Sequence, residues 1–413
     1  TPSASGPVST GGDAMLSPAH SIAHAPDATR ERLFIPSLPT LDPTLLAPSL
    51  EPARRPLYPL DRLHTPTTQL FYLARAGVHH TIKHWLGAEP GVVLMPAYHH
   101  GVEVEAVRAA GARIVFYRVD RDMRIDLDDL RKKAQSPDVR ALYVTHFVGF
   151  AQPVADARAI ARQRGLPLFE DCALALFSRT PEGKPLGSFG DASCFCLYKT
   201  LPVPHGGLLV AANVPVADVA APPLFSTLHH VAGLALAHLE LHSSSLGRAI
   251  RHAARSASHA TVDKAVATVK TGTMHLEPHE LRLGASKLVE HLLPRFDDEM
   301  VVVRRRRNFQ RLAAALDGVV EVVGSPLPLG TCPLFLPVRI TDRDKRDVMQ
   351  KLHDLGIDAI DFWGTGDAAC SDEEFPEVAT LRRQILELPC HQSLDDDAID
   401  LVAHAVKQVV AHA

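Results

Sequence analysis

The sequence of 413 residues lacks the features that mark several large classes of protein. It contains no uninterrupted apolar run of about 18 residues, which predicts no membrane span, and it begins without the basic start and apolar core of a signal peptide. Its formal net charge is only −4, which gives no electrostatic reason to expect nucleic acid as a partner. No GxGxxG follows the first apolar strand, so a hydride-transfer enzyme is disfavoured.

Cysteine is scarce, with six residues, and no pair has the CxxC or other spacing typical of a metal site. Several cysteines lie in apolar, strand-like segments, which is typical of buried free thiols in a reducing compartment, so we expect a cytoplasmic protein. The 23 histidines are scattered, and no metal site is predicted. Four arginines at 304–307 form the densest charge run, which we interpret as a solvated helix face.

The composition changes along the chain in a way that predicts its organisation. Short apolar strands alternate with helices from about residue 92 to residue 171, which indicates a parallel sheet covered on both faces. We also predict a helix at 69–86, a long helix or two joined near Pro294 at 279–316, and a strand at 357–362. The predicted parts are a disordered tail (1–30), an extended N-terminal arm (31–68), a large domain (69–270) with a helical excursion (214–262), a long helical connector (271–330) and a small C-terminal α+β domain (331–413).

Lys199 and Asp171 are the candidate catalytic pair. Lys199 follows the apolar run 194–198 and precedes a glycine pair at 206–207, and burial would favour its neutral amine, a nucleophile toward aldehydes. Asp171 ends the apolar run 168–171, where its carboxylate could face a ring-nitrogen cation. Since ligands of parallel sheets bind at the carboxyl ends of strands, the pair suggests a pyridoxal phosphate (PLP) enzyme.

Six short motifs follow one another in order along the chain. They are Pro-Ala-Tyr-His-His at 96–100 with Gly-Ala at 111–112, Ile-Asp-Leu-Asp-Asp-Leu at 125–130, Thr-His-Phe-Val-Gly at 145–149, Glu-Asp-Cys-Ala at 170–173, Gly-Ser-Phe-Gly-Asp at 187–191 and Glu-Leu-Pro-Cys-His at 387–391. From about residue 70 onward, the chain with these motifs resembles the DegT-type sugar aminotransferases, which are fold-type I PLP-dependent enzymes. The resemblance implies an α/β fold: a fold-type I PLP transferase with a large, mostly parallel-sheet domain and a smaller C-terminal α+β domain, assembled as a homodimer.

The resemblance implies that Lys199 forms the Schiff base and acts as acid and base, and that Asp171 pairs with the pyridinium nitrogen. A helix N-cap is the alternative role of Asp171. Arg75, Ala76 and Gly77 lie where the family begins its first helix, whose backbone N–H groups suit the PLP phosphate. An ordinary surface arginine is the alternative for Arg75.

Three further residues match family positions, each with a plain structural alternative. His100 stands where the family has an aromatic ring stacked on the cofactor, and it would otherwise be a loop histidine. His146 matches a histidine near the cofactor, and a structural hydrogen-bonding role is equally compatible. Arg282 resembles a substrate-binding arginine near the dimer-facing active site, or it is a plain helical arginine.

Two positions depart from the family pattern. Leu174 replaces the His or Gln that the family carries near the phenolic oxygen of PLP. Cys196 replaces the serine that binds the phosphate, so Ser193, the nearest hydroxyl, is a candidate in its place.

The resemblance implies an aminotransferase with two small-molecule substrates. Glutamate is the expected amino donor, and the acceptor is a keto-sugar or a nucleotide-linked keto-sugar. Another PLP-dependent reaction on the same scaffold, prompted by Leu174, and a non-catalytic family member remain the alternatives.

Overall fold

A computed structural model describes residues 34–47, 56–242, 275–361 and 363–411. The predicted tail at 1–30 and the last part (243–262) of the predicted excursion at 214–262 lie outside the described residues. Within these ranges, every helix is too short or too polar to cross a membrane.

The large domain is built on a mostly parallel sheet, which confirms the predicted α/β class. Among the described residues, seven strands lie in the order β1-β7-β6-β5-β4-β2-β3. Neighbours from β3 to β6 run parallel, whereas β7 is antiparallel to β6 and β1. The strands are β1 (Thr68–Phe71), β2 (Val92–Pro96), β3 (Arg113–Tyr117), β4 (Val139–Thr145), β5 (Leu168–Asp171), β6 (Ala192–Cys196) and β7 (Gly207–Ala211).

The central strands are buried along their whole length because helices cover the sheet. The helix α1 packs against β6 and β7, and α4 packs against β4 and β5. The helices of this domain are α1 (Ala74–Leu86), α2 (Val102–Ala109), α3 (Leu127–Lys133), α4 (Val154–Gln163), α5 (Leu197–Thr200) and α6 (Leu224–His242), with short 3-10 helices at Pro43–Leu46, Leu60–Arg62 and Phe147–Gly149.

The predicted helix at 69–86 is wrong in its first five residues. Residues Thr68–Phe71 form the edge strand β1, and the helix begins at Ala74. The apolar run 70–73 is too short for its period to separate strand from helix, and pairing with β7 decides the outcome.

The predicted helical run at 279–316 is broken into short pieces before its one long helix. A 3-10 helix at Pro278–Arg282 is followed by α7 (Lys287–Leu292), a second 3-10 helix at Leu293–Arg295 and α8 (Asp298–Ala315). Pro294 lies in the second 3-10 helix, where a missing N–H and a fixed φ are tolerated.

The small domain has an antiparallel sheet in the order β10-β9-β8. The predicted strand at 357–362 is wrong, because Ile357 and Ile360 make only isolated bridges with Ile35 and Glu387. The elements are β8 (Glu321–Val322), β9 (Phe335–Arg339), α9 (Lys345–Asp354), α10 (Pro376–Gln384), β10 (Ile385–Pro389) and α11 (Asp396–Ala411).

The interpretation of arginines 304–307 as a solvated face is wrong for Arg305, which is fully buried. Its guanidinium donates to the carbonyl oxygens of Pro333, Leu334 and Thr200 and to the side-chain oxygen of Gln392. Arg305 therefore ties α8 and the start of β9 to the residue that follows Lys199.

Candidate active site

A cavity lies where β4, β5 and β6 end and where α1 and α2 begin. Five of the predicted site residues line it together: Lys199, Asp171, Arg75, His100 and Cys196. The parallel strands bring these side chains to one edge of the sheet, as the strand-end argument predicts.

Asp171 ends β5 with its carboxylate in the cavity wall. The hydroxyl of Tyr143 donates to Oδ2 at 2.7 Å, the backbone N–H of Ala173 donates to Oδ1 at 2.9 Å, and the thiol of Cys194 lies 3.7 Å from Oδ1. Asp171 thus presents a buried, hydrogen-bonded carboxyl group to the cavity that Lys199 also lines.

His146 lies outside the cavity wall, in a hydrogen-bond network behind the sheet edge. Its Nδ1 accepts the N–H of Gln152 at 3.1 Å, so the ring proton resides on Nε2 and is donated to Glu170 at 3.1 Å. Both side chains are fully buried. The geometry matches the structural alternative for His146.

The same network could be mistaken for a metal site, because His146, Glu170 and Cys172 bring ligand atoms within 4.8 Å of one another. Both ring nitrogens of His146 are already used in hydrogen bonds. Burial raises the pKa of the Cys172 thiol well above its usual value, and nearby Glu170 raises it further. A protonated thiol and an engaged imidazole are poor metal ligands.

The first turn of α1 forms one wall of the cavity through Leu73, Ala74 and Arg75. The strand β7 runs directly beneath it, since a Cβ added to Gly207 would stand 2.2 Å from the backbone nitrogen of Ala74. Only glycine permits this approach. The first backbone N–H groups of a helix have no acceptor within the helix, and this helix start borders the cavity, which suits an anion.

Arg75 is buried, so the surface alternative is wrong. Its guanidinium donates to the carbonyl of His275 at 2.8 Å and pairs with Glu280 at 3.2 Å. Ala76 and Gly77 do not line the cavity. Ala76 is part of the hydrophobic core, and the Cα of Gly77 faces Leu209 of β7, where an added Cβ would lie 3.2 Å from the Leu209 Cβ.

His100 and Glu103 meet at the start of α2. The backbone N–H of His100 donates to Oε1 of Glu103 at 2.8 Å. Burial lowers the pKa of His100 to about 3, and the charges of Lys199 and Arg75 act in the same direction, so the imidazole is neutral at pH 7. A neutral ring can stack on a pyridine face, which is the role predicted for His100.

Glu103 is a cavity residue that the sequence interpretation missed. Burial raises its pKa, nearby Asp171 raises it further, and the Lys199 charge opposes both. Its position three residues after His100 could have indicated a role in the site. A carboxylate in the first turn of a helix is common for capping alone, however, so this position does not distinguish the two roles.

The strand before Lys199 alternates its side chains between two sides of the sheet. Cys194 and Cys196 line the cavity, whereas Ser193 does not and is fully buried elsewhere. Burial raises the pKa of the Cys196 thiol, and the Lys199 charge opposes this shift. The candidate phosphate hydroxyl at Ser193 is therefore on the side of β6 opposite to the cavity.

Arg282 also lies outside the cavity. It is exposed at the end of the 3-10 helix Pro278–Arg282, and its carbonyl accepts the N–H of Ala220 at 2.7 Å. Leu174, in contrast, lines the cavity with an apolar side chain.

Trp363, from the small domain, lines the cavity. The sequence did not predict this residue as part of the site. The guanidinium of Arg382 holds this loop against the end of β2, because it donates to the carbonyls of Trp363, His99 and Ala97 at 3.0–3.1 Å. It also lies over the ring of Tyr98, 5.7 Å from its centre. One tryptophan in an irregular loop carries no sequence pattern that would reveal this role.

Comparison with known proteins shows that this chain is similar to aminotransferases. A profile of the DegT/DnrJ/EryC1/StrS aminotransferase family matches residues 75–235. The dTDP-4-dehydro-2,3,6-trideoxy-D-glucose 4-aminotransferase of Saccharopolyspora spinosa is 26% identical over 330 residues, 78% of each chain. The dTDP-3-amino-3,4,6-trideoxy-alpha-D-glucose transaminase of Micromonospora megalomicea subsp. nigra is 38% identical over 98 residues, 24% of this chain and 26% of that protein.

A solved structure extends the similarity to the fold of nearly the whole chain. PseC of Helicobacter pylori, an aminotransferase involved in the biosynthesis of pseudoaminic acid, matches with a TM-score of 0.62 at 15% identity. The match covers 92% of this chain and 99% of PseC. It confirms the predicted fold class.

Proposed function

Since this chain belongs to the DegT/DnrJ/EryC1/StrS aminotransferase family, we propose that it uses PLP to move an amino group from glutamate to a keto-sugar or a nucleotide-linked keto-sugar. The observation that carries the proposal is the placement of Lys199 and Asp171 in one cavity at the ends of adjacent strands. The two relatives named above bear the names of dTDP-sugar aminotransferases, which supports a nucleotide-linked acceptor.

The residues of the cavity fit the chemical groups of PLP one by one. The start of α1 offers backbone N–H groups for the phosphate, with the buried Arg75 beside them. Asp171 offers an anion for the ring nitrogen, and the neutral ring of His100 offers a face for the pyridine. Lys199 offers the amine for the aldehyde.

When bound, PLP supplies an electron sink that allows a C–H bond beside an amino group to ionise. The chain supplies the proton transfers and the positioning. Lys199 is the only lysine in the cavity wall that the structure describes, so its amine is the group that takes and returns the substrate proton. Asp171 holds the ring nitrogen in its protonated state through charge.

The rest of the wall excludes water from this proton transfer. Leu174, Val78 and Trp363 are buried apolar side chains around the reactive pair. In such surroundings, the electrostatic attraction between Asp171 and a ring-nitrogen cation is stronger than in water.

The proposal is tested by absorption spectroscopy of the purified protein with added PLP. We expect a visible band from the lysine-linked cofactor in the parent and in Lys184→Ala, an exposed lysine variant, and no such band in Lys199→Ala. Glutamate should convert the bound cofactor to its amine form, and a keto-sugar nucleotide should reverse the change.

Each step of this experiment separates one alternative. Absence of the band from the parent would leave a non-catalytic family member. A band that glutamate never alters would favour another PLP-dependent reaction on the same scaffold. Reversal by simple 2-keto acids but by no keto-sugar would overturn the proposed acceptor.

Homodimer formation, cytoplasmic location and a substrate-binding role for Arg282 are part of the same proposal. An exposed apolar face at the start of α6 supports a dimer, since Leu224, Phe225 and Leu228 are 72%, 47% and 54% exposed. Arg282 lies outside its own chain's cavity, so it can bind substrate only from a partner subunit. Sedimentation would measure the dimer, and Arg282→Ala should raise the KM for one substrate without changing PLP binding.

A further inference from the structure

Thr145 is a buried residue whose hydroxyl makes no hydrogen bond within the described part of the protein. It ends β4, it is 3% exposed, and it lines the cavity. Its hydroxyl oxygen is buried and has no hydrogen-bond partner among the described residues. Leaving a buried hydroxyl unsatisfied costs about 1–3 kcal/mol, so such a group is expected to meet a ligand.

The sheet order fixes the side of the cavity on which Thr145 lies. Thr145 pairs with Asp171 across β4 and β5, so the two residues stand side by side at the sheet edge. On the other side of Asp171 come β6, β7 and β1, and α1 begins just after β1. Thr145 and the start of α1 therefore lie on opposite sides of Asp171.

The substituents of PLP have the same opposed arrangement. The line from the ring nitrogen to the aldehyde carbon separates the phosphate arm from the ring hydroxyl. With the nitrogen at Asp171, the aldehyde carbon at Lys199 and the phosphate at the start of α1, the hydroxyl points toward β4. Leu174 lines this cavity too, but its side chain cannot donate a hydrogen bond.

We propose that the Thr145 hydroxyl donates a hydrogen bond to the ring hydroxyl oxygen of PLP, in place of the polar side chain that Leu174 does not provide. This inference rests on the proposed use of PLP. In this inference, Thr145 is a cofactor-binding residue. By stabilising the ionised ring oxygen, Thr145 also increases the longer-wavelength share of the bound cofactor's absorption. Glu103 lies on the same side, but its Oε1 already accepts the His100 N–H.

Thr145→Val removes the hydroxyl with almost no change of shape, which makes it the variant to test. We expect titration of the PLP-free protein to show a PLP dissociation constant about three- to tenfold higher than the parent's, the effect of one hydrogen bond. The longer-wavelength share of the bound cofactor's absorption should fall. Thr145→Ser, which keeps the hydroxyl, should resemble the parent in both measurements.

The stability of the PLP-free protein distinguishes this role from a structural one. Because the hydroxyl has no hydrogen-bond partner in the described part of the chain, Thr145→Val should leave the unfolding midpoint unchanged or raise it, and this measurement also shows that the variant folds. Thr81 offers a matched control: its hydroxyl is also buried and lacks a hydrogen-bond partner within the described ranges, but it lies outside the cavity. Thr81→Val should leave PLP affinity and absorption unchanged.

The outcomes that overturn the inference are distinct from failure of the proposed function. If Thr145→Val binds PLP with the parent's affinity and spectrum, Thr145 does not contact the ring oxygen, although the proposed function stands. If Thr145→Val lowers the unfolding midpoint of the PLP-free protein, the hydroxyl is structural and the inference fails. A parent protein without any PLP band overturns the proposed function itself.

Discussion

Glu170 and Asp171, adjacent in β5, place buried carboxylates on opposite sides of the strand, and the two differ in how many hydrogen-bond donors surround them. On one side, Glu170 accepts hydrogen bonds from the backbone N–H groups of Gly187, Phe189 and Gly190 and from the His146 ring. On the other side, Asp171 accepts from two hydrogen-bond donors, Tyr143 and Ala173, and from the weakly donating thiol of Cys194, and it borders the cavity.

A carboxylate has about four lone-pair positions, and this number explains the difference. The four N–H donors around Glu170 occupy all of them, so Glu170 has no capacity left for a ligand. The donors around Asp171 leave one position open, and that carboxylate faces the cavity. Residues adjacent in sequence thus divide into one that holds the fold and one that is available for chemistry.

The largest expected effect is the loss of stability in Glu170→Ala. This change leaves the buried N–H groups of Gly187 and the His146 ring, and two half-buried backbone N–H groups, without an acceptor. We expect the free energy of unfolding to fall by about 3–5 kcal/mol, measured by denaturant titration. Glu89→Ala, at an exposed glutamate, should change it by less than about 0.5 kcal/mol. If the free energy of unfolding falls by a similar amount in both variants, Glu170 does not have the structural role described.

The next effect is the loss of turnover in Asp171→Asn. The neutral amide keeps the size of the side chain but cannot balance a ring-nitrogen cation, so we expect kcat to fall about 100- to 1000-fold, as when one preorganised electrostatic contact is removed. The free energy of unfolding should change far less than in Glu170→Ala. If Asp171→Asn instead unfolds as readily as Glu170→Ala, both sides of β5 are structural and the comparison fails.

A smaller effect is expected on the stability of the protein at low pH, and it comes from His100 in the cavity wall. His100 has a pKa near 3 in the folded protein and an ordinary value of 6.5 when unfolded. Its contribution to stability is therefore complete above pH 6.5 and is lost as the pH falls toward 3. We expect His100→Gln to reduce the loss of unfolding free energy between pH 7 and pH 5 by about 1 kcal/mol, after allowance for relaxation of the site. An unchanged pH dependence would show that His100 is not held neutral.

Much of the fold and the central pair could be predicted because they follow from local pattern. Buried strands between helices identify a parallel sheet, and a strand end identifies Asp171. The choice between adjacent residues could not be predicted, because register and pleat decide which side chain faces the cavity. Hence Thr145 lines the cavity where His146 was expected, and Cys194 lines it beside the predicted Cys196, whereas the candidate Ser193 does not.

Residues brought in from distant segments were beyond prediction for a different reason. Trp363 reaches the cavity from a loop that Arg382 fixes to the end of β2. Arg305 is buried within a run of four arginines because carbonyl oxygens from other elements surround it. The composition of the run predicts exposed arginines in general, and it does not show which single arginine the packing of the fold will bury.

The smallest expected effect isolates a single hydrogen bond on the cavity side. Tyr143→Phe removes the hydroxyl that donates to Asp171 but keeps the ring that stacks on Phe169 at 5.0 Å. Tyr117→Phe is the matched control, because the buried Tyr117 hydroxyl donates to the Tyr143 carbonyl and does not contact Asp171. Each variant should lower the free energy of unfolding by about 0.5–1.5 kcal/mol.

The two tyrosine variants should differ in activity. With one donor fewer, the Asp171 carboxyl group is less firmly positioned toward the ring nitrogen, so Tyr143→Phe should lower kcat/KM about three- to tenfold near neutral pH, whereas Tyr117→Phe should leave it unchanged. Equal losses of activity would mean that the effect comes through general loosening of the sheet. A loss confined to Tyr143→Phe would show that the division between the two sides of β5 extends to the individual donors of each carboxylate.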